Sequence, residues 1–223
     1  MSGAQTVPSP LVVLATHNQG KLRELRELLR GQVPGLDVDT QVVDAATAGA
    51  ADVLEDGITF AQNALKKARA VAEQTGLVAV ADDSGLSVDI LGGAPGIFSA
   101  RWSGRHGDDE ANLQLLLAQL ADIGPAHRGA AFICAAALAV PGGGDHVELG
   151  ELRGTLLTEP HGDGGFGYDP ILQPDGLQES CAQISAEHKN RISHRGQAMA
   201  ALAPHLVALL SQGAPAAEPG EER

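Results

Sequence analysis

Two adjacent carboxylates, Asp82 and Asp83, are followed by a hydroxyl at Ser84 and a glycine at Gly85. The apolar run Leu77-Val78-Ala79-Val80 leads into them and reads as a strand. In α/β proteins, ligands gather outside the carboxyl ends of strands. Paired acids at such an end suit a hard cation such as Mg2+, which takes oxygen ligands and usually keeps several waters. Asp, Ser and Gly are also ordinary turn residues, so the stretch also fits a plain turn.

Three further clusters carry polar chemistry. Thr16-His17-Asn18-Gln19-Gly20-Lys21 follows the apolar run Leu11–Ala15 and opens a helix with Leu22, Leu25, Leu28 and Leu29 on one face. It lacks the spacing of a Walker A loop. Lys21 stands against the helix dipole, and a bound anion would turn that cost into a gain. Asn18 as a helix cap with a solvated Lys21 is the simpler alternative. The second cluster, Gly162 to Pro170, holds four glycines and two of the chain's six aromatics, Phe166 and Tyr168. Flat rings beside glycines suit stacking on a base, although one ring could equally anchor the loop in the core. The third, Glu187 to Ala198, is a basic cluster in an acidic chain, with Ser193 placed to cap the helix that follows.

These clusters need elements to position them. A strand is expected over Asp37–Val43, then a loop over 44–57 that carries Glu55 and Asp56. Thr59 and Gln62 form a capping box for a helix to Thr75, ended by Gly76. Asp108 and Asp109 start another helix, and Ala130–Val140 with Val147–Leu157 read as an antiparallel hairpin. Pro204 should kink or restart the last helix.

The 223 residues are 43% hydrophobic and 19% charged, the balance of a globular protein able to bury a core. One domain over residues 11–211 is expected, with a loose tail at 1–10 and a disordered acidic tail at 212–223. The net charge of −13 denies the chain the positive surface that nucleic acid requires, so an anionic ligand must be small. No apolar run nears the ~20 residues that span a bilayer, and residues 1–10 lack the features of a secretory signal. Cys134 and Cys181 make no disulfide framework. The expected setting is cytoplasmic, with neither nucleic acid nor membrane as partner. A serine hydrolase is disfavoured, since no Gly-x-Ser-x-Gly elbow is present.

In their order, the blocks Thr16–Lys21, Glu55–Phe60, Ala81–Leu86, Gly93–Gly96, Gly165–Pro170 and Ser193–Arg195 resemble the inosine/xanthosine triphosphate pyrophosphatase family. Leu172 departs from the family, where an aromatic is common. The resemblance implies a mixed α/β fold, with a central sheet flanked by helices and two lobes around a cleft. It implies a homodimer and dependence on Mg2+; the apolar, loop-like segment from Gly92 to Trp102 makes Phe98 and Trp102 the expected interface aromatics. The implied reaction converts a non-standard purine nucleoside triphosphate and water into the monophosphate and pyrophosphate. By the same resemblance, Asp83 is the general base and a metal ligand, with Glu55 assisting at the metal. Thr16, His17, Asn18, Gln19, Gly20, Lys21, Ser84 and Lys189 would hold phosphates and sugar. Phe166, Gly167, Tyr168, Asp169, His194 and Arg195 would surround the base. Neighbouring strand residues point to opposite faces. Asp82 and Asp83 can therefore share one metal only if the strand has already ended, and Asp82 is expected in a supporting role. A pyrophosphatase for other modified nucleotides and a non-catalytic nucleotide sensor are the competing readings.

Overall fold

The computed structural model describes residues 11–211; the expected tails at 1–10 and 212–223 lie outside the described residues. A six-stranded mixed sheet runs through the molecule in the order β2-β1-β3-β4-β5-β6. β1 (Val12–Leu14) pairs in parallel with β2 (Val42–Asp44) and β3 (Val78–Val88). The remaining pairs, β3 with β4 (Gly129–Ala139), β4 with β5 (Asp145–Leu156) and β5 with β6 (Leu172–Pro174), are antiparallel.

Residue size decides how the layers stack. On one face, α3 (Phe60–Thr75) lays Ala64, Ala68 and Val71 on Ala79, Ala81, Ala135 and Ala137. On the other face, α1 (Gln19–Leu29) and α6 (His194–Ser211) cover Leu14, Val80, Cys134 and Ala136 with Leu22, Leu25, Met199, Leu202 and Leu206. Farther along that same face, α4 (Asp109–Gln119) packs Leu113 and Leu116 with Leu86, Val88 and Phe132. Fully burying one such side chain contributes about 1.5–3 kcal/mol.

The two apolar clusters on this face are separate, and β3 passes from one to the other. Its residues 80, 82, 84 and 86 share a face. Val80 belongs to the first cluster and Leu86 to the second. Asp82 and Ser84 fall between them, and the polar gap they make is the cleft.

The stretch read as the end of a strand is a strand throughout. β3 continues to Val88, with Asp82 opposite Ala136 and Asp83 opposite Ala135. Only its first part borders β1, whose last partner is Leu14 against Val80. The acids therefore begin where β1 ends, beside a carboxyl strand end as expected but on a strand that has not stopped. Gly85 is not a turn residue either. A Cβ there would meet Gly96 O at 2.6 Å and the Ser99 hydroxyl.

Other elements differ locally from expectation. Of the strand expected over 37–43, only Val42 and Val43 are extended, in β2; a short helix, α2 (Val38–Gln41), precedes them. The Asp37 carboxylate accepts from Asp39 N at 3.1 Å and Thr40 Oγ1 at 2.8 Å, a local bonding pattern that competes with extended backbone. The basic cluster is a helix of its own, α5 (Ala186–Ile192), capped by Ser185. Ser193 then caps α6, its hydroxyl accepting from Gly196 N at 3.0 Å. α6 runs through Pro204 unbroken, held by buried Leu202 and Leu206 on either side. Trp102 packs on the second cluster and donates to Gln119 Oε1, leaving Phe98 as the exposed aromatic of that segment.

Candidate active site

The loop after β1 is built by side-chain capping. Asn18 Oδ1 accepts from Gly20 N at 2.8 Å and Lys21 N at 3.2 Å, starting α1. Thr16 Oγ1 accepts from Asn18 N, and Gln19 donates to Asp44 at the end of β2. His17 meets Asp52 at 2.9 Å. Asn18 is thus a cap, as the simpler alternative had it, but Lys21 is not a solvated side chain. Its ammonium lies 2.6 Å from Asp82 Oδ2.

Asp82 is a buried counterion, only 4% exposed. Burial alone would raise its pKa, but Lys21 and Arg195 outweigh that effect and hold it below the usual carboxylate range. Arg195 Nε lies 3.4 Å from the same oxygen, while its Nη1 binds Glu24 at 2.6 Å. Arg195 therefore stands with the acidic strand and does not line the aromatic cavity described below.

Asp83 points to the opposite face. Its Oδ2 accepts from Asn63 Nδ2 at 2.9 Å, and its Oδ1 from Ser84 N at 2.9 Å. Burial raises its pKa above the ordinary carboxylate value, as does the nearby charge of Glu55, against opposing effects from Asn63 and Lys67. Lys67 links the two sides of β3. Its ammonium donates to the Asp82 carbonyl at 2.6 Å and pairs with Glu55 at 2.8 Å. Neither Asn63 nor Lys67 was expected. They sit four residues apart on α3, beside its apolar stripe, and two polar groups at that spacing were the available signal.

Two cavities flank the strand. The first, about 320 Å3, is lined by Thr16, His17, Lys21, Glu55, Lys67 and Asp82 among others, so charge dominates it. The second, about 140 Å3, is lined by Ser84, Phe132, Phe166, Tyr168, Lys189 and His194 among others. Asp82 and Ser84 are two strand positions apart, about 7 Å. Asp83 lies between them in sequence but on the other face, outside both linings. A larger groove of about 560 Å3 between α1 and α6 touches none of Glu55, Asp82 or Asp83.

The glycine-rich loop divides its two aromatics. Tyr168 is the anchor, 5% exposed, its hydroxyl donating to Ser99 O at 2.9 Å. Phe166 is 78% exposed, with Lys189 Nζ 5.1 Å from its ring centre. Lys189 also pairs with buried Asp169, so it stands at the aromatic cavity and not in the charged one. Three loop amides are engaged: Gly164 N donates to Ala182 O at 3.2 Å, Phe166 N to Asp169 Oδ2 at 2.8 Å, and Gly167 N to Asp109 Oδ2 at 3.0 Å. His194 stacks on Phe132, ring centres 5.1 Å apart, and its Nδ1 is buried with no hydrogen-bond partner. Burial, with Lys189 adding to it, pushes its pKa down to about 4, so the imidazole is neutral at pH 7.

Cys134 and Cys181 are buried, and burial raises both thiols to about 12, which removes thiolate chemistry.

The chain is 61% identical to the dITP/XTP pyrophosphatase of Streptomyces avermitilis over 199 residues, spanning 89% of this chain and 98% of that one. It is 50% identical over 198 residues to the protein of the same name from Mycobacterium tuberculosis, covering 89% and 96%. Among solved structures, a HAM1 protein from Coxiella burnetii superposes with TM-score 0.81 at 38% identity, over 89% of this chain and 99% of that one. A dITP/XTP pyrophosphatase from Mycobacterium abscessus superposes with TM-score 0.74 at 46% identity, over 88% and 100%. Residues 12–205 match the family pattern itself, and the chain belongs to the Ham1 family.

Proposed function

We propose that this protein is a nucleoside triphosphate pyrophosphatase that converts ITP, dITP and XTP into the monophosphate and pyrophosphate in the cytoplasm. The observation that carries the reading is the pair of cavities separated by two strand positions, one charged and one aromatic. A triphosphate fits the first, and a purine stacked on Phe166 fits the second. The names of the relatives support the same substrate class.

Phosphoryl transfer is mostly positioning and charge stabilisation. Lys21 and Lys67 supply cations beside the charged cavity. Asp82 fixes the Lys21 ammonium in place. Asp83 lines neither cavity, but it neighbours Glu55, which lines the charged one, and from there it acts as the general base. Its raised pKa gives a carboxylate more basic than usual, suited to taking a proton from the attacking water. The donor set fits Mg2+. Glu55 and Asp83 are acids close enough for the charge of one to shift the other, and Mg2+ sites use one or two carboxylates with water and phosphate oxygens. Bound there, Mg2+ would neutralise developing charge on the phosphates.

Base selection follows from donor direction. Hypoxanthine and xanthine carry an acceptor oxygen at position 6, where adenine carries a donor. Phe166 N, Gly167 N and Arg195 are engaged elsewhere, while Lys189, the neutral His194 and the Ser84 hydroxyl stand at the aromatic cavity as donors able to meet that oxygen. A homodimer, with exposed Phe98 in its interface, completes the reading. The test is product analysis with ITP, dITP and XTP: inosine or xanthosine monophosphate plus pyrophosphate is expected. A diphosphate plus orthophosphate would overturn the proposal.

A further inference from the structure

Away from the nucleotide cleft, β5 and α6 bring two imidazoles and a carboxylate to one point. His146 Nε2 lies 2.7 Å from Glu148 Oε1, and His205 Nε2 lies 3.3 Å from the same oxygen. The two rings pack together with centres 3.6 Å apart. One ligand atom from each residue lies within 4.8 Å of the others.

The sequence explains the convergence. His146, Glu148 and Gly150 alternate along β5 and so share a face. A Cβ at Gly150 would run into the backbone of α6 at His194 O and Ala198 N, so glycine lets the helix approach closely. Ala198 and His205 are seven residues apart, two turns along one stripe of α6. The contact at Gly150 therefore sets His205 over the strand near Glu148. From His194 to His205 the helix rises about 16 Å, which separates this cluster from the aromatic cavity.

We propose that His146, Glu148 and His205 form a second metal site, for a borderline ion such as Zn2+, Co2+ or Ni2+. Imidazole nitrogens favour these ions, whereas Mg2+ selects oxygen. Tetrahedral coordination with bonds of about 2.0–2.2 Å places ligand atoms about 3.3 Å apart. The His205–Glu148 separation of 3.3 Å already meets this. The His146–Glu148 contact, at 2.7 Å, needs to open by about half an ångström, and the two packed rings need to turn so that a nitrogen of each faces the ion. His146 and Glu148 are half-buried and His205 is exposed, so water can reach the fourth position. Three protein ligands plus one water is a standard arrangement for zinc. The ion ties α6 to β5 and stiffens the helix whose first residues are His194 and Arg195.

The experiment is calorimetric titration of the full chain with Zn2+ in a large excess of Mg2+, repeated with Co2+ followed by its visible absorption. One saturable site per chain is expected, weakened at least about tenfold in His205→Ala and in Glu148→Gln. Zn2+ should raise the melting temperature of the wild type and not that of His205→Ala. His205 is exposed, so its variant should melt like the wild type without Zn2+; if it does not fold, His146→Asn supplies the comparison. Absence of saturable binding, or affinity unchanged in the variants, would overturn the site and leave Glu148 as a carboxylate shared by two histidines.

Discussion

Asp82 and Asp83, adjacent in sequence, stand on opposite faces of β3, with Asp82 Oδ2 2.6 Å from Lys21 Nζ and Asp83 Oδ2 2.9 Å from Asn63 Nδ2. Their environments drive their pKa values in opposite directions, Asp82 down and Asp83 up. The same substitution should therefore do opposite things. Asp82→Asn leaves Lys21 and Arg195 without their buried counterion and should cost about 3 kcal/mol of stability. Asp83→Asn removes a carboxylate that burial disfavours, so stability at pH 7 should hold or rise while turnover falls by about a hundredfold or more. Denaturant melts and steady-state rates on both variants read this directly. Equal stability losses would show that the two acids are not divided in this way.

Lys67 should set the acid limb of the pH–rate profile. Its positive charge lowers the Asp83 pKa, against burial, which raises it. In Lys67→Met that lowering is lost, and the limb of kcat/KM should move to higher pH. The measurement is kcat/KM from pH 4 to pH 8 at saturating Mg2+. An unmoved limb would mean that the titrating group is not Asp83.

His194 links the aromatic cavity to acid stability. Its folded pKa of about 4 lies below the ordinary histidine value of 6.5. Between these values the unfolded chain binds more protons, so stability rises with pH there. The contribution is fully present above pH 6.5 and is lost as pH falls through about 4, roughly 3 kcal/mol in all. His194→Gln should flatten the stability curve between those limits, measured by urea unfolding at stepped pH. A curve as steep as that of the wild type would place the titrating group elsewhere.

Selectivity should depend on Lys189. Removing a donor to the 6-oxygen costs about 1–3 kcal/mol, or roughly ten- to a hundredfold. Lys189→Met should narrow the preference for ITP over ATP in kcat/KM by about tenfold or more. Competition on equal mixtures measures the ratio directly. If ITP and ATP fall together, Lys189 does not read the base.

Much of this layout was legible because it follows from local rules. Alternating and continuous apolar runs marked β1, β4 and β5, and caps at Asn18, Thr59 and Asp108 marked helix starts. The glycine-rich loop announced a close approach, though not which aromatic would be buried. What periodicity cannot say is what faces a side chain across the fold. Asp82 and Lys21 are 61 positions apart, and only the packing of α1 on the sheet makes them a pair. Lys67 was hidden for the same reason, as an ordinary helix lysine until β3 runs beneath it. The strand expected at 37–43 begins only at Val42, because the Asp37 side chain first bonds the backbone that follows it.

The most direct test of the account is pyrophosphate release from dITP with Mg2+ by the wild type and Asp83→Asn side by side. Equimolar pyrophosphate and deoxyinosine monophosphate from the wild type are expected, with the rate down about a hundredfold or more in the variant. Orthophosphate as the main product, or a variant that turns over like the wild type, would contradict it.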